Sequence, residues 1–430
     1  MKPQRTPLSP VSGMTAVMAA VAVAVTAALV MAVAAQADTL PFKKRPKLVP
    51  AVASAALPPP VDGPSFGAPL PDLKAAELAA FTAGREEFEA VETPEGGLGP
   101  IFNGSSCGGC HSAGALGGAS EQKVTRFGRL VQGRFEALDS LGGSLLQALA
   151  IAPEALERVP PEANVVAQRM STPLFGAGLI EAIADAEIEQ NARRPQPDGV
   201  RGRVARIRDA ASGQPRFGRF GRFGWKAQHA TLLAFAGDAY LNEMGVTSRL
   251  FPHENAPNGN PALLVKYDLV LDIEDAVDPA TGKSDIDHAA DFMRLLAPPA
   301  PLRSTAASLA GAQIFEQARC SACHTPVMFT APNPVRALSV QPVHLDSDLL
   351  LHDMGSLADG IAQDGATGRE MRTAPLWCLR VRTAFLHDGR ARTVRSAIDQ
   401  HEGVATASRD RYRVLRASDQ QLLLSFLNGL

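Results

Sequence analysis

Two short cysteine patterns limit what this chain can become. Cys107-Gly108-Gly109-Cys110-His111 and Cys320-Ser321-Ala322-Cys323-His324 both read C-x-x-C-H, the attachment signature of c-type haem. Two thiols separated by two residues reach the vinyl groups along one edge of a porphyrin, and the next residue then offers an imidazole nitrogen to the iron. A thioredoxin-like pair or half of a zinc site also uses two cysteines at this spacing. Neither explains a histidine directly after both pairs. The whole chain has five cysteines in 430 residues, too few for a disulfide-dense scaffold. The expected cofactors are two covalently bound c-type haems, with Cys107, Cys110, Cys320 and Cys323 as attachment points and His111 and His324 as proximal iron ligands.

The N-terminus bears on the compartment. Lys2 and Arg5 precede an uninterrupted run of apolar and small residues from Met14 to Ala35, and Ala35-Gln36-Ala37 is an A-x-A cleavage site before Asp38. Residues 1–37 therefore read as an export signal and predict a periplasmic protein. The competing reading is an uncleaved anchor, since the run is just long enough to cross a bilayer. Pro41 to Pro71 then holds nine prolines, with Lys43, Lys44, Arg45 and Lys47 among them. That composition favours an extended tether over 38–72. The net charge of −2 offers no basic face for nucleic acid.

Helical periodicity begins at Leu73, where Leu73, Leu78, Phe81, Arg85 and Phe88 set an apolar stripe, so the folded body is expected from there. Gly311-Ala312-Gln313-Ile314-Phe315 before Cys320 resembles the entry of cytochrome c lobes, placing a compact second lobe at 305–430. Between His111 and Cys320 lie 208 residues, far more than one such lobe needs, so 73–304 is expected to be a first lobe with an insertion.

Further segments carry a family resemblance. They are Phe102-Asn103-Gly104, Phe175 to Ile183, Arg222 to Gln228, Asn242 to Thr247, Leu350 to Gly355 and Phe385 to Arg390. Together with the haem motifs they resemble the bacterial di-haem oxidoreductases, a family described as thiol oxidoreductase-like or as peroxidases, and more distantly related to di-haem cytochrome c peroxidases. The resemblance spans about residues 73–430. It implies a mainly α fold of two cytochrome c-like lobes with the haems near their interface and an enlarged region between the motifs.

The resemblance also suggests His401 as distal ligand of the second iron. Thr393 can cap a helix whose Val394, Ala397, Ile398 and His401 share one face. Met371 is the rival ligand. His401 could instead simply favour a helix C-terminus as a cation. For the first iron no histidine occurs between His111 and His229, leaving Met170, a water or an open position. An open site is what peroxide or dioxygen chemistry requires. Glu181 resembles the family position opposite that iron, where a carboxylate would move protons. Its alternative is an acid stabilised at a helix N-terminus. Trp225 matches a tryptophan that relays electrons between haems in relatives, or is a packed core indole. Trp377 is expected to shield the second haem, and Cys378 stands where relatives often have glycine. Arg390 and Arg392 are candidates for haem propionates. His387 reads as a group behind the ligands, His352 as one that orients a propionate or the His324 region, and His229, His253, His288 and His344 as surface or turn residues.

The expected function is an oxidoreductase that takes electrons from a small redox protein or other donor at the His324/His401 haem. It passes them by way of Trp225 to the His111 haem, which reduces hydrogen peroxide. A carrier with two six-coordinate irons, and a dioxygen-using or protein-oxidising enzyme, are the other readings. Whether calcium lies between the lobes stays open.

Overall fold

The computed structural model describes residues 62–212, 219–270 and 276–430. The export signal and most of the expected tether lie outside these residues. Among the described residues no helix is long and apolar enough to cross a membrane.

Helices predominate, joined by small sheets. In chain order they are α1 (Ala75–Glu89), α2 (Cys107–Cys110), α3 (Ala177–Ala182), α4 (Asp185–Arg193), α5 (Leu232–Ala239), α6 (Pro261–Tyr267), α7 (Asp285–Leu295), α8 (Ala306–Gln317), α9 (Val394–Asp399), α10 (Thr406–Arg413) and α11 (Ala417–Leu427). The largest sheet lies in the region between the haem motifs. Its long strand β1 (Lys123–Val131) pairs antiparallel with β2 (Arg134–Glu136), β3 (Leu145–Leu146) and β4 (Val165–Met170).

Two helix pairs frame the molecule. Helix α1 crosses α7 at Gly84, whose missing Cβ lets the helix press against the His288 carbonyl. Helix α8 crosses α11 at Gly311, which presses against the Leu422 carbonyl. A side chain at either position would hold the helices apart. On α1 the buried residues are Phe81, Gly84 and Phe88, while Leu78 is exposed, so the apolar stripe is narrower than the periodicity predicts. On α8 they are Gly311, Ile314 and Phe315, the residues singled out in the sequence.

The expected tether ends earlier than 72. Leu70 is buried and its N–H donates to the Leu295 carbonyl at 2.8 Å, while Phe66 meets Phe175 edge-on at 5.3 Å. The apolar residues set among the prolines give this stretch something to dock with. Nor does the larger core respect a boundary at 304/305. Leu338, Val343, Leu345, Leu349, Leu350 and Trp377 share it with Phe175, Leu232 and Phe292. A second core gathers Ile314, Phe315, Phe385, Tyr412, Leu423 and Leu427.

Candidate functional site

Each C-x-x-C-H opens on a large apolar cavity, and the two are built alike. In the first, Ser106 caps α2 by accepting from the Gly109 N–H at 3.1 Å, which holds Cys107 and Cys110 on one short turn. His111 donates from Nδ1 to the Gly118 carbonyl at 3.0 Å and lies against Phe88 of α1, ring centres 6.0 Å apart. In the second, His324 donates from Nδ1 to the Asp346 carbonyl at 2.9 Å and lies 6.2 Å from Phe315 of α8. Committing Nδ1 to a carbonyl leaves Nε2 as the free ligand atom and fixes the ring's direction. Burial pulls both imidazoles down to about 4, so each is neutral and its Nε2 lone pair is available. Burial likewise pushes Cys107 up to about 12, Cys110 to about 11 and Cys320 to about 12, which holds these thiols uncharged rather than as redox-active thiolates.

The second cavity encloses about 1430 Å³ of empty space, its mouth included. Thr393 caps α9 by accepting from the Ser396 N–H at 3.0 Å. Val394, Ala397, Ile398 and His401 all line the cavity, as their spacing predicts. His401 donates from Nδ1 to the Ala397 carbonyl at 2.8 Å, and its ring centre stands 6.5 Å from that of His324. Two metal–imidazole bonds of about 2 Å, with about 1 Å more from each nitrogen to its ring centre, give roughly 6 Å. The rings are therefore spaced for one iron between them. Met371 also lines this cavity, from the strand that pairs it with His352.

The first cavity encloses about 1200 Å³, measured the same way. Met170 lines it, yet its Sδ packs against Gly389 so closely that no Cβ would fit there. Glu181 is absent from the walls of both cavities. One oxygen accepts from the Leu232 N–H at the start of α5 at 2.7 Å, and the other from Arg294 at 2.8 Å. Its carboxylate is consumed by a helix N-terminus and an ion pair, so the expectation of a proton shuttle above the iron is corrected. The acids that do line this cavity are Asp238 and Glu243. Glu243 is pushed up by burial, whereas Asp238, despite burial, is drawn down by His229 at 3.1 Å and by Asn242. Two carboxylates whose surroundings push their pKa values in opposite directions are the arrangement that separates acid from base. Glu243 stands inside the Asn242 to Thr247 segment noted in the sequence, but nothing in the pattern showed which way its side chain turns.

Trp225 lines both large cavities. Its Nε1 donates to the Met170 carbonyl at 2.8 Å, and its own carbonyl accepts from the Arg372 N–H at 2.9 Å. A smaller cavity runs along it, sharing Leu174 and Gly224 with the first and Arg372 and Arg382 with the second. The neighbouring Lys226 is buried, with Nζ 3.0 Å from Asp359, which also accepts from Arg169 at 2.7 Å. Since Arg169 precedes Met170, this triad ties the Trp225 segment to the end of β4.

Other expectations are redirected. Trp377 lines the small cavity and packs on Gly176 rather than shielding the second haem site. Arg390 pairs with Asp388 and Arg392 with Glu121, both at the surface. Arg126 and Arg169 line the first cavity, and Arg319, Arg372, Arg382 and Arg409 the second. Arg126 Nε, Arg169 Nη2 and both Nε and Nη2 of Arg382 are buried without a partner. Such groups are costly unless an anion meets them, and haem propionates are suitable anions. Apolar walls, paired cysteines, a directed histidine and orphaned guanidiniums thus fit a haem in each cavity. His229 and His288 are buried, against the surface reading, while His253 and His344 are exposed. His352 donates to Asp348 at 2.8 Å and lies 3.7 Å from Cys323 Sγ. These three form a cluster of metal-ligand type, though sulfur and nitrogen do not suit calcium. Cys378 has φ 72°, the left-handed backbone that explains why glycine is favoured there.

Two cavities of this make define a redox protein organised around a pair of haems. The family model described as "Di-haem oxidoreductase, putative peroxidase" matches residues 158–430, starting beyond the first C-x-x-C-H. The chain belongs to this di-haem oxidoreductase family. Among solved structures it is similar to a MauG-like protein associated with microbial copper homeostasis, at 16% identity over 90% of this chain and 95% of that one, TM-score 0.37. It is also similar to the diheme peroxidase BthA from Burkholderia thailandensis, at 13% identity over 87% and 95%, TM-score 0.35. A third likeness is to Kuenenia stuttgartiensis hydrazine synthase, at 15% identity over 90% and 100%, TM-score 0.36. At these scores the likenesses are remote. No curated protein matches the chain.

Proposed function

We propose that this chain is an exported, periplasmic c-type cytochrome of two lobes, about 73–304 and 305–430, that reduces hydrogen peroxide with electrons from a small redox protein or similar donor. Export rests on the leader at 1–37. The two lobes are supported by the repeated unit of crossed helices, phenylalanine and carbonyl-bound histidine behind each cysteine pair. Loaded with haem, the first site would supply an iron open to peroxide and the second an electron store of low potential.

The chain's own residues divide the remaining work. Cys107 and Cys110 would hold the first haem by thioether bonds and Cys320 and Cys323 the second, with His111 and His324 as proximal ligands. His401 is favoured over Met371 as distal ligand by its 6.5 Å spacing from His324. Arg126 and Arg169 would receive propionates at the first site and Arg382 at the second. Glu243, its pKa raised by burial, and Asp238, its pKa lowered by His229 and Asn242, would move protons while one peroxide, two electrons and two protons become two waters.

The observation that carries the reading is Trp225 in the wall of both cavities. An indole there bridges the sites through one side chain, so electrons stored at the second can refill the first. The test is rapid mixing of the reduced, haem-loaded protein with peroxide. Trp225→Phe is expected to leave the peroxide reaction at the first haem intact and to slow its refilling from the second. No peroxide reaction in the wild type would favour the carrier or oxygenase readings.

A further inference from the structure

The chain has three tyrosines, and two of them line the haem cavities. Tyr412 borders the second, where its hydroxyl is buried without a partner. Tyr240 borders the first and is only 1% exposed. Its hydroxyl donates to the Glu87 carboxylate of α1 at 2.5 Å, at the short end for an O–H···O⁻ bond. The backbone marks the same place. Helix α5 widens into a π-helical turn over Tyr240–Met244, a departure from the α-helix that is common where side chains serve a function. That turn carries both Tyr240 and Glu243 to the cavity wall.

The surroundings suit a tyrosine that must lose an electron and a proton together. Tyr240 and Cys107, the proposed attachment point of the first haem, line the same cavity. Burial, with the Glu87 carboxylate, lifts the phenol well above its ordinary pKa, so loss of the proton alone is disfavoured. Glu87 is half-buried, and it also acts on Glu92 and Asp285. The negative field of this cluster opposes a phenolate and favours loss of an electron. The Glu87 oxygen already bonded to the hydroxyl is the proton acceptor that such an oxidation needs.

We infer that Tyr240 and Glu87 form a proton-coupled oxidation site, which carries oxidising power from the first haem site towards the α1 surface. The inference rests on the peroxide reading. After that site has reacted with hydrogen peroxide, Tyr240 gives it one electron, and the phenolic proton passes along the existing hydrogen bond to Glu87. The products are a neutral tyrosyl radical and a protonated Glu87. A one-electron donor at the α1 face returns the electron, the proton moves back, and both side chains are restored. Tyr412, with no acceptor for its proton, cannot follow this course and serves as an internal control.

The haem-loaded oxidised protein is mixed with one equivalent of hydrogen peroxide and freeze-quenched for electron paramagnetic resonance, with and without ring-deuterated tyrosine. Wild type and Tyr412→Phe are expected to give a tyrosyl signal that narrows on deuteration, and Tyr240→Phe to lose it. Glu87→Gln keeps a hydrogen-bond partner but cannot take the proton as a carboxylate does, so radical formation should slow by about a hundredfold. Haem spectra and melting curves, recorded for each variant, separate these effects from misfolding. A haem that reacts with peroxide without any tyrosyl signal, or a signal that survives Tyr240→Phe, overturns the Tyr240 site alone. Absence of any haem reaction with peroxide overturns the peroxide reading and this inference with it.

Discussion

The ring centres of His324 and His401 stand 6.5 Å apart, and each ring has its Nδ1 bound to a main-chain carbonyl. Both Nε2 atoms are thus free, at a separation that accommodates one metal ion. His401→Ala is expected to convert one low-spin iron to high spin and leave the other unchanged, read by visible and electron paramagnetic resonance spectra. Met371→Ala should leave both spectra as in the wild type. If Met371→Ala produces the conversion, the thioether is the ligand and the second haem has a raised potential.

Covalent attachment is checked by mass. The haem-loaded protein should keep two haems on denaturation, and replacing Cys107 with Cys110, or Cys320 with Cys323, by alanine should remove one haem each. Wild-type protein matured in a cytochrome c-assembling host with fewer than two retained haems contradicts this.

The cysteine motifs, their histidines and the Thr393-capped face that brings His401 to the second cavity could all be read along the chain, because each depends on spacing within one turn or one helix. Trp225, one of two tryptophans in the chain, was singled out through the family resemblance and not through any local pattern. Glu181 was misread for a definite reason. Its use is set by Leu232 and Arg294, which are far off in sequence, and no local pattern shows that a carboxylate is already spent. Asp238, Glu243 and the orphaned Arg126 and Arg382 escaped notice for the same reason. Only the fold turns them towards the cavities.

The buried triad Arg169–Asp359–Lys226 should be the costliest polar group to break. Asp359→Asn leaves two buried cations facing each other and is expected to lose about 3–5 kcal/mol in chemical denaturation. Lys226→Met keeps the Arg169–Asp359 pair and should cost less. Equal losses would show that Asp359 is not the hub of the triad.

His352 supplies a pH test. Burial alone would lower its pKa, but the Asp348 carboxylate at 2.8 Å outweighs burial and lifts it to about 10, against about 6.5 in an unfolded chain. A group whose folded pKa is raised stabilises fully below the unfolded pKa, and that stability is lost as pH rises through the folded one. The melting temperature of wild type should therefore fall between about pH 6.5 and 10 more steeply than that of His352→Gln. Parallel profiles would mean that His352 is neutral in the folded protein.

The acids of the first cavity are separated from Glu181 by their environments, and so should be their variants. Burial raises the pKa of Glu243, and Glu243→Gln keeps the shape of the side chain while removing its exchangeable proton. Asp238 is kept ionised by His229 and Asn242, so Asp238→Asn removes a standing base. Peroxide turnover should fall by about a hundredfold to ten-thousandfold in whichever of the two moves the proton at the transition state, with haem content unchanged. Glu181→Gln should behave differently. It weakens an ion pair with Arg294 that is partly exposed and the hold on the α5 N-terminus, so the expected loss is about 1 kcal/mol of stability with near-normal turnover at a temperature where the variant is folded. Stopped-flow measurement of the three variants, each beside its melting curve, decides the matter. A turnover defect confined to Glu181→Gln, with Asp238→Asn and Glu243→Gln active, would return proton transfer to Glu181.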